Sequence, residues 1–125
     1  MPRRILIVED DEKSRRLLTD VLEYHGFDVC AYSSGEEGLA DARSCCPDAA
    51  LLDIELPGIS GFEVLARLRA ESAGASMPII AVTASVMDRD RTNILAAGFD
   101  AYIPKPVNIR NVVDVLNGLL AKDDA

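Results

Sequence analysis

Five times along the chain a short apolar run gives way to a stretch whose apolar residues recur at helical spacing. The runs lie near Ile5–Val8, Asp28–Tyr32, Ala49–Leu52, Ile79–Thr83 and Ala101–Ile103. Strands that alternate with helices predict a parallel sheet covered by helices. The last helix is the most regular: Ile109, Val112, Val113, Leu116, Leu119 and Leu120 share one face, behind Asn108 as a cap. The first runs from about Ser14, carries Leu17, Leu18, Val21 and Leu22, and stops at His25-Gly26, where glycine can take the left-handed conformation. The second runs from Ser34 to about Cys45, ahead of Pro47, and the third from Gly61 to about Ala70 with Phe62, Leu65 and Leu68 inward. The fourth, about Met87 to Ala97, is sparse in apolar residues and opens on Asp88-Arg89-Asp90-Arg91, the pattern of a mobile surface element.

The chemistry lies in the polar residues that end these runs. Ala49-Ala50-Leu51-Leu52 leads into Asp53, Ile5–Val8 leads into Glu9-Asp10-Asp11, and two later runs end in Thr83 and Lys105. Right-handed crossovers leave few topologies for an α/β chain of five such units, a doubly wound (βα)5 fold, and the common flavodoxin-like strand order is 2-1-3-4-5. In that five-stranded parallel sheet the first, third and fourth strands are neighbours, and their carboxyl ends face the crevice where such folds bind ligands. The second strand, at the far edge, ends in Ala31-Tyr32-Ser33 and offers no acid. Three acids, a hydroxyl and an ammonium suit a divalent cation and a transferable phosphoryl group. Two carboxylates about 5 Å apart repel by roughly 3 kcal/mol at an effective dielectric near 20, so a bare pocket resists further negative charge and a cation reverses that sign.

Composition narrows the partners. The 125 residues are expected to form one domain over 1–121, followed by a short solvated tail at 122–125 and no output domain. Lys+Arg 13 against Asp+Glu 21 sets the net charge at -8, which repels nucleic acid and anionic membranes. With no basic leader and no apolar run near the roughly 18 residues of a membrane span, the expected location is the cytoplasm. Cys30, Cys45 and Cys46 have no zinc-ligand spacing and are expected to be small packing groups in a reduced compartment.

Four segments together identify a resemblance: Ile7-Val8-Glu9-Asp10-Asp11, Leu52-Asp53-Ile54-Glu55-Leu56-Pro57-Gly58-Ile59-Ser60-Gly61, Val82-Thr83-Ala84 and Gly98-Phe99-Asp100-Ala101-Tyr102-Ile103-Pro104-Lys105-Pro106. In this order the chain resembles, over nearly its whole length, the receiver domain of a two-component response regulator. The resemblance implies that Asp53 accepts a phosphoryl group from a sensor histidine kinase or a histidine phosphotransfer protein. It implies Mg2+ held by Asp10, Asp53 and the backbone carbonyl of Glu55, with Glu9 acting through water. Lys105 and Thr83 would contact the new phosphoryl group, small Ala84 would leave room for it, and Tyr102 is either a switch aromatic or a packing residue. A cis Lys105-Pro106 bond follows from the resemblance alone. So does signalling through a face of the fourth helix, fifth strand and fifth helix to a downstream protein, with room for a phosphorylation-dependent homodimer.

Plainer readings stand beside these. Asp11 and Glu12 read as a solvated helix start favoured by the helix dipole, and His25 as a helix C-terminal residue. A phosphorylation-independent scaffold would keep the fold and discard the chemistry. A phosphatase of the haloacid dehalogenase type shares an acid pair like Asp53-Ile54-Glu55, but it uses a second Asp and a longer chain. A flavin-binding module of flavodoxin type shares the sheet order, yet Glu9 to Glu12 would repel its phosphate.

Overall fold

Each apolar run becomes a strand: β1 (Arg4–Val8), β2 (Asp28–Tyr32), β3 (Ala49–Asp53), β4 (Ile79–Thr83) and β5 (Ala101–Pro104). Between and after them come α1 (Glu12–Tyr24), α2 (Gly35–Cys45), α3 (Gly61–Ala70), α4 (Asp88–Ala97) and α5 (Ile109–Asp124). The structure is a computed structural model that describes residues 3–71, 76–84 and 88–124. Met87, expected to open the fourth helix, and Ala125 lie outside the described residues.

All strand pairs are parallel and the sheet order is β2-β1-β3-β4-β5, as the switch-point argument requires. Alternation along each strand divides the core. Ile5, Ile7, Leu51, Ile80, Val82 and Ile103 face Leu18 and Leu22 of α1 and Val112, Val113, Leu116 and Leu120 of α5. Leu6, Val8, Ala50, Leu52, Ile79 and Ala81 face Val64, Leu65 and Leu68 of α3 and Ile94 of α4, with Leu39 and Ala42 of α2 partly buried against them. Each large aliphatic side chain so buried contributes about 1.5–3 kcal/mol. A rigid, two-sided core of this kind holds the strand ends in fixed register.

Helix boundaries follow their caps. The side chains of Asp11, Ser34 and Ser60 accept from the N–H groups of Ser14, Glu37 and Glu63 at 2.9, 3.2 and 3.3 Å. Each such cap is worth about 1 kcal/mol. Because Asp11 is the cap, α1 begins at Glu12, ahead of the Ser14 start that its apolar residues suggest. It ends at His25, followed by Gly26 at φ +90, the expected left-handed stop. Asn108 caps α5 through a 3.2 Å bond from Asn111 N–H, and the helix continues to Asp124, through most of the segment expected to be a tail.

Two apolar residues of the helical patterns lie outside the core, and the reading of the cysteines needs correction. Leu17 is 43% exposed, because Leu18 and Leu22, four residues apart, are the α1 side chains buried in the core. Ile109 is 45% exposed at the open first turn of α5, and the buried stripe begins at Val112. The cysteines are not three free packing thiols: Cys30 of β2 and Cys45 at the end of α2 form a disulfide, their Cα atoms 6.3 Å apart. Packing of α2 against β2 brings together residues that sequence spacing left unpaired. Cys46 is a free, exposed thiol in the left-handed region at φ 50. Among the described residues no helix is long and apolar enough to cross a membrane.

Candidate functional site

Parallel register decides which polar residues meet. Val8 is paired with Leu52, so Glu9 and Asp53 follow at equivalent points on adjacent strands, and Thr83 is paired with Pro104 beside them. Glu9 N–H donates to Tyr32 O at 3.0 Å, which extends the β1–β2 ladder and carries the glutamate inside. Glu9, Asp53 and Thr83 are the buried polar residues among those described, at 1%, 4% and 2% exposure. Asp10, one residue further on, is exposed at the mouth.

Lys105 arrives from the opposite side of the sheet. Its N–H donates to Thr83 O at 2.8 Å, holding the end of β5 against the end of β4. From there its Nζ donates to Glu9 Oε1 at 2.5 Å and to Asp53 Oδ2 at 3.1 Å. Asp53 Oδ1 accepts the Glu55 N–H at 3.0 Å. Both oxygens of the Asp53 carboxylate are thus held in place. The Lys105-Pro106 peptide is cis. Behind Asp53, α3 starts so close that a Cβ on Gly61 would overlap Asp53 O and lie 2.8 Å from Ile54 Cα.

The charges are set by burial and by one another. Burial pushes Glu9 up to about 8 from its ordinary 4.5, helped by its hydrogen bond to Asp53 and opposed by Lys105. Burial also pushes Asp53 upward, but hydrogen bonds from Glu9, Lys105 and the Glu55 N–H outweigh it and hold Asp53 below its ordinary range. Desolvation pulls Lys105 down, and its hydrogen bonds to Glu9 and Asp53 more than restore it, so its ammonium is stabilised. At neutral pH the geometry supports an ionised Asp53, a protonated Glu9 and a charged Lys105.

A divalent cation fits this set. Glu9, Asp10 and Asp53 each offer a carboxylate oxygen, all within 4.8 Å of one another. Mg2+ holds oxygen ligands at about 2.0–2.1 Å, so oxygens across one ion are about 4 Å apart, close to the spacing of this cluster. Glu9 Oε2 is buried with no hydrogen-bond partner among the described residues. Such an oxygen is costly unless a cation, water or proton meets it.

Of the residues singled out in the sequence, Glu9, Asp10, Asp53 and Lys105 come together directly. Thr83 is buried at the end of β4 and Ala84 follows it in an exposed position. Glu55 contributes its N–H to Asp53, while its side chain is exposed. Tyr102 packs on the α2–α4 side of the sheet, with the Arg91 guanidinium 5.3 Å from its ring centre. Neither the contact of Arg91 with Tyr102 nor that of Arg15, whose Nη1 donates to Glu9 O at 2.9 Å, was legible in the sequence. As charged residues on amphipathic helices the two arginines carry no local pattern that marks them.

The chain is similar to known receiver domains in sequence and in fold. The family model of the response regulator receiver domain matches residues 5–117. The polar-differentiation response regulator DivK of Brucella anthropi is 37% identical over 120 residues, covering 96% of this chain and 98% of its own. A CheY-like response regulator receiver domain protein from Methanospirillum hungatei superposes with a TM-score of 0.90 at 33% identity, over 99% of this chain and 98% of its own. The receiver domain of a sensor histidine kinase from Pseudomonas aeruginosa, with a magnesium ion coordinated in its active site cleft, superposes with a TM-score of 0.88 at 30% identity, over 97% of this chain and 99% of its own.

Proposed function

Since the chain belongs to the response regulator receiver domain family, we propose that Asp53 is its phosphoacceptor, charged by a phosphohistidine on a sensor histidine kinase or a histidine phosphotransfer protein. The observation that carries this reading is the ammonium of Lys105 bridging buried Glu9 and Asp53 at the sheet's carboxyl edge.

In the transfer, an Asp53 oxygen forms a bond to phosphorus while the bond from phosphorus to the donor imidazole nitrogen breaks, its electron pair leaving with the ring. Asp53 suits the role because its lowered pKa keeps it ionised and its two oxygens are already oriented. Lys105 then lies ready for the oxygens of the incoming group, and Thr83, at the next strand end, supplies a hydroxyl for the same purpose. Ala84 leaves space beside it. Asp10, Asp53 and the Glu55 carbonyl would hold Mg2+ directly and Glu9 through water; Mg2+ would neutralise charge building on the transferred group. The product is an acyl phosphate, and the only substrate modified is the protein itself.

New charge on Asp53 then biases Thr83, the segment that follows it, and the face formed by α4, β5 and α5, where a downstream protein would bind. Tyr102 and Arg91 lie at that face. Incubation with acetyl phosphate and Mg2+ should add one phosphoryl mass, located on Asp53 by peptide mapping and absent from Asp53→Asn. An adduct that survives Asp53→Asn, or no adduct at all, would overturn the assignment. In the second case the phosphorylation-independent scaffold becomes the better reading.

A further inference from the structure

We propose that Arg15 is a positioning residue for the metal-binding acids, acting through the backbone of Glu9 and Asp10; the proposal rests on the site reading above. The acid loop joins β1 to α1 in three residues. Glu9 N–H is taken by Tyr32 O, and Asp11 O accepts the first helical bond, from Arg15 N–H at 2.9 Å. The Glu9 and Asp10 carbonyls fall before that first bond and lie outside the helical ladder. Arg15 Nη1 turns back to them, donating to Glu9 O at 2.9 Å and reaching Asp10 O at 3.5 Å.

Two features make this more than a stray contact. Arg15 binds peptide oxygens, so it brings a permanent positive charge to the acid loop without occupying a carboxylate oxygen that a cation needs; Lys105, by contrast, occupies Glu9 Oε1 and Asp53 Oδ2. In addition, Asp10 is exposed and accepts no side-chain donor among the described residues, so its direction depends on the peptide units beneath it. Groups that orient metal ligands without touching the metal typically change affinity by about 10- to 100-fold when removed.

The test compares the wild type with Arg15→Met, which keeps an unbranched stem, and Arg15→Lys, which keeps the charge but lacks the fork. Mg2+ is titrated against each protein while the amide resonances of residues 9–11 are followed by NMR, and urea unfolding is recorded in parallel. Arg15→Met should raise the Mg2+ Kd about tenfold, and Arg15→Lys should fall between it and the wild type. Adduct formation from acetyl phosphate should be slow at limiting Mg2+ and recover at saturation. A folded Arg15→Met with wild-type Mg2+ affinity overturns the proposal, even if its urea midpoint falls, since that is the mark of a purely structural residue. Should Arg15→Met fail to fold, an unchanged Kd in Arg15→Lys overturns it. Failure of the wild type to bind Mg2+ overturns the site reading itself, which is a separate result.

Discussion

Lys105 Nζ lies 2.5 Å from Glu9 Oε1, joining residues 96 positions apart in the chain. The same ammonium holds Asp53 at 3.1 Å, so one cation donates to two buried carboxyl groups and offsets the charge of Asp53. Replacing it by Lys105→Met removes that offset while leaving the acids inside, and a charged group stripped of its buried partner is costly. We expect a loss of about 1–3 kcal/mol in urea unfolding, and weaker retention of the phosphoryl group on Asp53. Unchanged stability and unchanged adduct would remove Lys105 from the site.

Glu9 sets an unusual pH dependence. Its folded pKa, about 8, lies above its ordinary 4.5, so between those values the folded protein holds a proton that the unfolded chain has released. Stability of the metal-free protein should therefore fall as pH rises from 5 toward 8, by on the order of 1–3 kcal/mol. Asp53 has the opposite sign and acts lower: its stabilisation is present above 3.8 and lost as pH falls through its depressed folded value. Lys105, raised above 10.5, loses its contribution only in alkali. Urea midpoints of the wild type and Glu9→Gln across this window test the claim; parallel profiles would refute it.

Gly61 is required by a close approach. A methyl group there would overlap Asp53 O and sit 2.8 Å from Ile54 Cα, and backbone atoms cannot swing aside as a side chain can. Gly61→Ala should cost about 2–4 kcal/mol and slow phosphorylation by displacing the Asp53 peptide. Gly118→Ala in α5 is the control, since nothing lies within 4 Å of its Cβ position; it should be neutral or slightly stabilising.

Arg69 ties three segments at the other end of the sheet. It donates to Met77 O, to Gly98 O at 3.0 Å and to Asp100 Oδ2 at 2.8 Å, and the same Asp100 oxygen accepts Ile79 N–H at 2.8 Å. Arg69→Met should destabilise by about 1–3 kcal/mol and speed amide exchange at Ile79 and Asp100. Faster exchange spread evenly over the whole sheet would show that the tie is not local.

Much of the site was readable in advance because strand ends are marked twice, by the end of an apolar run and by the polar residue that follows. Glu9, Asp53, Thr83 and Lys105 all stand at such ends, and the strand order converts that one-dimensional mark into proximity. Arg15, Arg91 and the Cys30–Cys45 pair carry no comparable mark. Their partners are a backbone carbonyl, an aromatic face and a distant thiol, chosen by packing rather than by spacing. Leu17 and Ile109 show the same limit from the apolar side: helical spacing places a residue on a face but does not say where that face leaves its neighbour.

The order of polar and apolar residues by itself determined five strands, their parallel arrangement and the edge at which acids gather, because side-chain periodicity and crossover handedness are local, strongly constrained properties. Tertiary structure alone decided the burial that raises the pKa of Glu9, the two-sided grip on Asp53 and the reach of Arg15 to the acid loop. Those depend on burial and on distances of a few ångströms between chain segments, and desolvation and hydrogen-bond strength change steeply over such distances.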